Sequence, residues 1–157
     1  MLDPRVLDIA EDTVSEMLST VDVDAEPGAV SPSRFFAYQG REKEVIRDQL
    51  GRKHPESGDL AYPESSEYLV DALFKHRFVV VRSPRKFIKT FTAADLIITV
   101  FATRPAVVIP FGPTFRQLQN NLWAQVLRTY DRCPHLPGER LATTIRCGPM
   151  HYIEPIS

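Results

Sequence analysis

The residues best suited to chemistry are a neighbouring lysine and threonine, Lys89 and Thr90, at the start of a long apolar stretch. A phosphate-binding loop joins a strand to a helix, points backbone amides at phosphate oxygens, and supplies a lysine for the outer phosphates and a hydroxyl for magnesium. Its G-x-x-x-x-G-K-[ST] pattern requires glycine at positions 83 and 88, where this chain has Ser83 and Ile88. An isoleucine at positive φ costs about 1–2 kcal/mol and crowds a phosphate, and Pro84 lacks an amide donor. The pattern alone therefore favours a basic surface loop over a phosphate site.

The sequence on either side predicts the elements that would hold this loop. Arg77 to Arg82, RFVVVR, is a β-branched run typical of a strand buried on both faces. Residues 91–104 predict a largely buried helix, and residues 106–110 predict a second buried strand. Residues 114–130 predict an amphipathic helix with Trp123 on its apolar side. Strand, helix, strand and helix in this order imply parallel pairing with right-handed crossovers.

Shorter elements are predicted around this unit. Residues 42–50 predict a charged helix with one apolar stripe, formed by Val45, Ile46 and Leu50. A helix capped by Ser65 or Ser66 follows, and its predicted buried face comprises Tyr68, Leu69, Ala72 and Leu73. Residues 141–148 and 150–156 predict a terminal hairpin.

The amino-terminal segment differs from the rest in charge. Residues 1–30 contain eight acidic residues and one basic residue, whereas residues 61–157 contain twelve basic and seven acidic residues. Asp3 before Pro4 is typical of a helix start, and apolar residues then recur at helical spacing at Val6, Leu7, Ala10, Val14, Met17, Leu18 and Val21. We therefore divide the chain into a helical, partly flexible extension over residues 1–60 and a core over residues 61–157.

Composition excludes several classes of protein. The chain has 157 residues, of which 43% are hydrophobic and 25% charged, with a net charge of −1, as expected for one soluble globular domain. Neither cysteine lies in a Cys-x-x-Cys frame, and His76, His135 and His151 lack a second ligand at helical spacing, so no metal site is predicted. The acid-rich start, and the lack of a run of about 18 apolar residues, predict a cytoplasmic protein without a membrane span.

The motif order resembles the amino-terminal part of the motor domain of tailed-phage terminase large subunits. In that family a loop of the type S-G-R-G-V-G-K-T precedes a helix that begins with a Thr-Ala-Ala-like run, and an A-P-T-x-x-Q-like motif and a Leu-Trp pair follow. This chain has Ser83–Thr90 for the loop, Thr92–Asp95 for the helix start, residues 112–117 for the later motif, and then Leu122-Trp123. The resemblance covers residues 63–157.

The resemblance implies an α/β fold: a partial P-loop NTPase core, RecA/ASCE-like, with a parallel sheet and the helical extension before it. It implies binding of ATP and Mg²⁺, with the following roles: Ser83, Lys86, Lys89 and Thr90 at the nucleotide, Thr90 also at magnesium, Arg85 as phosphate sensor, and Thr114 and Gln117 in the coupling motif. These motors also need an apolar strand ending in Asp-Glu for magnesium and the attacking water. The 157 residues contain no such run, so we expect an incomplete motor that is inactive alone.

The resemblance also implies partners: double-stranded DNA, the portal and the small terminase subunit, in the host cytoplasm during phage assembly. The alternative is a non-catalytic DNA- or protein-binding module that keeps the fold. Its basic cluster of Arg82, Arg85, Lys86 and Lys89 would contact DNA or RNA phosphates without nucleotide chemistry. Alternatively, its acidic amino-terminal helix would contact DNA or another packaging protein. An incomplete sheet would expose an edge strand, which predicts self-association.

Overall fold

The computed structural model of the chain describes residues 33–82 and 89–156. Its first half is helical: α1 (Ser33–Phe36), α2 (Glu42–Glu44) with a π-helical turn (Val45–Gln49), α3 (Glu64–Lys75) and α4 (Lys89–Thr103). Its second half comprises β1 (Val107–Val108), α5 (Phe115–Leu118), a second π-helical turn (Gln119–Trp123), α6 (Ala124–Asp131), β2 (Glu139–Arg140), β3 (Ile145–Gly148) and β4 (His151–Ile153). The amino-terminal helix predicted for residues 1–21 lies outside the described residues.

The four strands form one small mixed sheet in the order β1-β4-β3-β2. Strand β1 pairs in parallel with β4, with Val107 opposite Tyr152, whereas the β3–β4 and β2–β3 pairs are antiparallel. The predicted α/β class and the terminal hairpin are confirmed. The sheet is only partly parallel because that hairpin, β3–β4, supplies half of its strands.

The predicted buried strand over Arg77–Arg82 is wrong for the part of the chain that the structure describes. These residues follow α3, form neither helix nor strand, and leave Phe78 85% exposed and Val80 95% exposed. A β-branched sequence indicates side chains that suit a pleated surface, but a strand forms only beside a partner strand. The four strands of the described sheet do not include this segment.

The central element is α4, and the predicted buried helix is confirmed. Ala94, Ile98 and Phe101 are fully buried in the core. Two threonines are also buried because their hydroxyls donate within the helix: Thr99 to the Asp95 carbonyl at 2.8 Å and Thr103 to the Thr99 carbonyl at 2.7 Å. The first charged helix is confirmed as well, since Val45, Ile46 and Leu50 join the core.

Helix α3 is confirmed, its predicted cap is wrong, and its predicted buried face is wrong in part: Leu69 packs against the core and Ala72 is half-buried, as predicted. It begins at Glu64 after Pro63, so Ser65 and Ser66 lie inside the helix. Tyr68 is 75% exposed and Leu73 is exposed as well, whereas Ser66 and Val70 are buried. Ser66 is buried because the Thr92 hydroxyl on α4 donates to its hydroxyl at 3.2 Å. The buried face of α3 therefore runs through Ser66 and Val70, with Leu69 and Phe74 packed against the core beside them.

The predicted amphipathic helix over residues 114–130 is formed by α5, the second π-helical turn and α6 in succession. Trp123 is buried as predicted, and Leu118 and Val126 join it. The predicted strand over residues 106–110 is reduced to β1, a half-buried strand at one edge of the described sheet, with Ile109 exposed. Among the described residues, no helix has both the length and the apolar character needed to cross a bilayer.

Candidate functional site

Lys89 and Thr90 are the last two residues of the predicted phosphate loop. In the structure they are the first two residues of α4. Lys89 is half-buried and Thr90 is exposed. The first turn of a helix has backbone amides without intrahelical partners, and the helix dipole makes this end positive. The predicted residues Ser83, Arg85 and Lys86 lie in the segment 83–88, outside the described residues.

The two residues of the predicted coupling motif lie at the start of α5. The Thr114 hydroxyl accepts a hydrogen bond from the Gln117 amide at 3.2 Å, and the Thr114 carbonyl accepts one from the Leu118 amide at 3.0 Å. Thr114 is therefore the N-cap of this helix, a role that threonine favours at such a position. The Gln117 side chain is exposed.

The most connected polar group of the described residues is one that the sequence did not identify as a site, the carboxylate of Asp95 on α4. Asp95 has 0% exposure. Arg52 donates to both carboxylate oxygens, from Nε at 2.8 Å and from Nη2 at 2.9 Å. The hydroxyls of Tyr62 and Thr129 donate to the same carboxylate, the latter at 3.3 Å. We call this set of four residues the Asp95 cluster.

The Asp95 cluster joins three parts of the chain. Arg52 and Tyr62 come from the connection between the first π-helical turn and α3, Asp95 from α4 and Thr129 from α6. Arg52 Nη2 also donates to the Thr129 hydroxyl at 3.1 Å, so Arg52 and Thr129 contact each other as well as Asp95. Bidentate arginine–carboxylate bonds fix both distance and orientation. The cluster therefore fixes the position of α4 relative to the helices and loop around it.

The cluster also reaches the first turn of α4. The Arg52 guanidinium carbon lies 4.0 Å from the centroid of the Phe91 ring, and the Tyr62 and Phe91 ring centroids are 6.4 Å apart. A guanidinium over an aromatic face is attracted by the ring quadrupole. Phe91 directly follows Thr90, so the backbone that carries Lys89 and Thr90 is held through Phe91 to the Asp95 cluster.

Protonation within the cluster follows from burial and from the Asp95 charge. Burial, together with the negative charge of Asp95, raises the pKa of Tyr62 far above its ordinary value, so the hydroxyl remains a donor at every physiological pH. Burial lowers the pKa of Arg52, but the hydrogen bonds and charge attraction to Asp95 outweigh burial and raise it. Since three donors use the Asp95 oxygens, the carboxylate serves to position other groups and not as a general base.

Cys133, Cys147 and His151 lie in the core or packed against it. Burial raises the pKa of the Cys133 thiol, and burial raises the pKa of the Cys147 thiol to about 12, so neither is an activated nucleophile. His151 lies 2.6 Å from the Phe101 carbonyl through Nε2, and its ring centroid is 4.6 Å from that of Phe101. Within residues 33–82 and 89–156, no group of three or more His, Cys, Asp or Glu residues is arranged to hold a metal.

The sequence contains one signal for the Asp95 cluster, a single acid within the apolar run FTAADLIITV. A carboxylate in a buried helix requires partners. Those partners could not be identified, because Arg52 and Tyr62 lie 43 and 33 residues away in the chain. Comparison of the chain with protein-family models, with curated proteins and with solved structures finds no match.

Proposed function

We propose that this chain is the nucleotide-binding segment of a phage DNA-packaging motor of the terminase large-subunit type, incomplete or inactive alone. The observation that carries the proposal is the position of Lys89 and Thr90 in the first turn of α4, a helix of 15 residues. The amides of a first helical turn, a positive helix end, a lysine and a threonine hydroxyl together suit a phosphate chain with magnesium. The partners in this proposal are double-stranded DNA, the portal and the small terminase subunit.

The residues at this helix end fit ATP and Mg²⁺, which when bound would supply a phosphoryl group for transfer. The Lys89 ammonium would neutralise the outer phosphates, and the Thr90 hydroxyl would ligate magnesium. In the segment 83–88, Ser83 and Lys86 would contact the phosphates and Arg85 would sense the outermost one. The contact between Phe91 and Arg52 supports the proposal, because it anchors the turn that carries the two central residues.

Binding, and not hydrolysis, is the activity proposed for this chain by itself. Hydrolysis in such motors needs carboxylates that hold magnesium and orient water. Asp95 is the only acid in α4, and its oxygens already accept hydrogen bonds from Arg52, Tyr62 and Thr129. Thr114 and Gln117 would transmit the state of the nucleotide site to DNA, in agreement with their position at the start of α5.

Isothermal titration calorimetry of the whole chain with Mg-ATP tests the proposal. We expect micromolar binding that Lys89→Ala weakens at least tenfold, because the lysine carries the positive charge closest to the outer phosphates. Lys53→Ala is the matched control, since Lys53 is exposed and far from the loop in sequence. Thr90→Val should lose the magnesium dependence of binding and Thr90→Ser should retain it.

Two outcomes would overturn the proposal. One is the absence of heat and of any change in melting temperature with Mg-ATP in the folded wild-type chain. The other is equal loss of binding in the Lys89→Ala and Lys53→Ala variants, which would place the nucleotide elsewhere. Circular dichroism of each variant separates loss of binding from loss of fold.

The second candidate is the non-catalytic binding module, and the exposed residues after α3 favour it. Phe78 and Val80 are 85% and 95% exposed, unlike the buried apolar side chains of the core. Clusters of exposed apolar residues are typical of interaction surfaces. Such residues favour a protein partner over DNA phosphates. A chain that gives no heat with Mg-ATP, yet binds the small subunit or the portal and loses that binding in Phe78→Ser, would support this candidate.

A further inference from the structure

A short apolar segment lies on the outside of the molecule between α3 and position 83. Phe78 is 85% exposed, Val80 is 95% exposed and Val81 is 46% exposed, whereas Val79 between them is half-buried. We call Phe78, Val80 and Val81 the apolar strip. The alternation shows that Val79 faces the body of the protein while Phe78 and Val80 face outward. A run that is apolar on both sides requires cover on both sides.

The apolar strip is bounded by positive charge. Arg77 and Arg82 flank it and Lys75 precedes it, all of them exposed. None of the ion pairs between described residues includes Lys75, Arg77 or Arg82. The occupant that fits this surface therefore has an apolar face and acidic side chains beside it.

A second copy of the strip does not fit this description. In symmetric antiparallel pairing of residues 77–82, Arg77 of one copy lies opposite Arg82 of the other. Like charges directly opposite each other on neighbouring strands are destabilising. The charges thus disfavour self-pairing of the strip and favour an acidic partner.

The chain itself contains a matching segment. Residues 1–30 carry eight acids and one base. In a helix over residues 6–21 the apolar residues would share one face, and Asp8, Glu11, Asp12 and Glu16 would lie outside that face. An acidic amphipathic helix has the two properties that the strip requires.

The connection between the two segments is long enough. Phe35 on α1 is buried and fixes the chain to the core at that point. Residues 22–32 can span about 36–40 Å when extended, and a domain of this size has a radius of gyration of about 13 Å. A tether of this length gives a local concentration on the order of millimolar. The acidic segment therefore reaches the strip of its own chain more readily than it reaches another molecule.

We propose that residues 3–21 form an acidic amphipathic helix that docks on the apolar strip of the same chain, covering Phe78 and Val80 and placing acids beside Arg77 and Arg82. This interaction does not depend on nucleotide binding. The proposed docking explains both the excess of acids in residues 1–30 and the exposure of the apolar strip.

Site-specific photocrosslinking in the whole chain tests the proposal. Phe78 is replaced by p-benzoyl-phenylalanine, and the matched control carries the same replacement at Phe111, which is 71% exposed on another part of the molecule. We expect crosslinks from position 78 to peptides within residues 1–30 of the same chain, with a yield at least fivefold above that from position 111. Mass spectrometry identifies the peptides, and electrophoresis separates monomer from dimer.

Every other pattern overturns the proposal. Crosslinks from position 78 that double the mass would make a second copy the occupant. Crosslinks confined to other regions, no crosslinks, or equal yields from positions 78 and 111 would show that the acidic segment does not cover the strip.

A charge variant tests the electrostatic part separately. Combined Asp8→Asn, Glu11→Gln, Asp12→Asn and Glu16→Gln substitutions leave the apolar face unchanged. We expect the crosslinking yield from position 78 to fall at least threefold. The remaining yield should not change with salt between about 0.05 and 0.5 M, because salt screens the charge pairs that this variant lacks. An unchanged yield would contradict the pairing of these acids with the arginines.

Discussion

The Asp95 cluster and the apolar strip depart from the usual arrangement of side chains in opposite ways. In the cluster, a charged pair lies inside the molecule, with the Asp95 carboxylate fully buried and held by three side-chain donors. In the strip, phenylalanine and valine side chains lie outside, and residues 33–82 and 89–156 provide no cover for them. The cluster is complete within the described chain and the strip is not. The first region therefore fixes the relative positions of the elements around α4, whereas the second indicates an interaction.

The largest effect that tests this comparison is expected from Asp95→Ala. The substitution leaves Arg52, whose side chain is 11% exposed, as an uncompensated charge. We expect the free energy of unfolding to fall by about 3–5 kcal/mol in urea denaturation. Asp71→Ala, which removes an exposed partner of Lys43, should cost under about 1 kcal/mol. Similar small losses for both variants would show that the cluster does not hold the helices together.

A smaller loss is expected from Tyr62→Phe. The variant keeps the ring and removes the hydroxyl that donates to Asp95. We expect a loss of about 1.5–3 kcal/mol in the same measurement, because a hydrogen bond to a charged, buried acceptor is broken. Tyr68→Phe is the matched control, since Tyr68 is 75% exposed. Loss of its hydroxyl should change the free energy of unfolding by no more than about 0.5 kcal/mol. Equal effects at the two positions would contradict the account.

The pH dependence of stability tests a second buried polar group, His151. Burial lowers the pKa of His151, and the hydrogen bond to the Phe101 carbonyl only partly offsets this. At pH values below the ordinary histidine pKa, the unfolded chain binds a proton at His151 that the folded chain does not yet bind. The free energy of unfolding therefore decreases as the pH falls through the folded-state pKa of His151. We expect stability between pH 7 and pH 5 to decline less in His151→Gln than in the wild type. His76→Gln, at an exposed histidine, should leave the decline unchanged, and an equal response in both variants would refute the assignment.

The smallest effect is expected in the apolar strip. Val80→Ala should lower the free energy of unfolding by no more than about 1 kcal/mol, because the side chain lies outside the core and loses only part of its contact with the docked acidic segment. Val70→Ala, at a buried valine of α3, should cost about 1–3 kcal/mol through lost burial and a cavity. A loss above 2 kcal/mol for Val80→Ala would place the strip in the core and remove the contrast between the two regions.

The elements that sequence predicted correctly are those with a local signal. Helix α4 and the helix through Trp123 were predicted because their apolar residues recur at helical spacing over many residues. The terminal hairpin was predicted from two adjacent β-prone segments, and β3 and β4 form it.

The features that sequence did not predict depend on distant partners. Residues 77–82 have the composition of a strand, but a strand requires a neighbour that no local pattern reveals. The burial of Ser66 on α3 was not predicted, since its partner Thr92 lies 26 residues away. Asp95 is buried because Arg52 and Tyr62 meet it from another part of the chain. Of the candidate site, the sequence predicted a helix start within two residues of Lys89 and another helix start at Thr114. It did not predict the capping role of Thr114 or the Asp95 cluster.

Residue-resolved hydrogen exchange of the whole chain, with and without Mg-ATP, tests the proposed nucleotide site most directly. In the proposed site, phosphate oxygens at the start of α4 would accept hydrogen bonds from the backbone amides of its first turn. We predict that Mg-ATP slows exchange at residues 89–91 at least tenfold, while the first turn of α5, residues 115–117, exchanges at an unchanged rate. Unchanged exchange at residues 89–91 with saturating Mg-ATP, or equal slowing at both helix starts, would contradict the proposal.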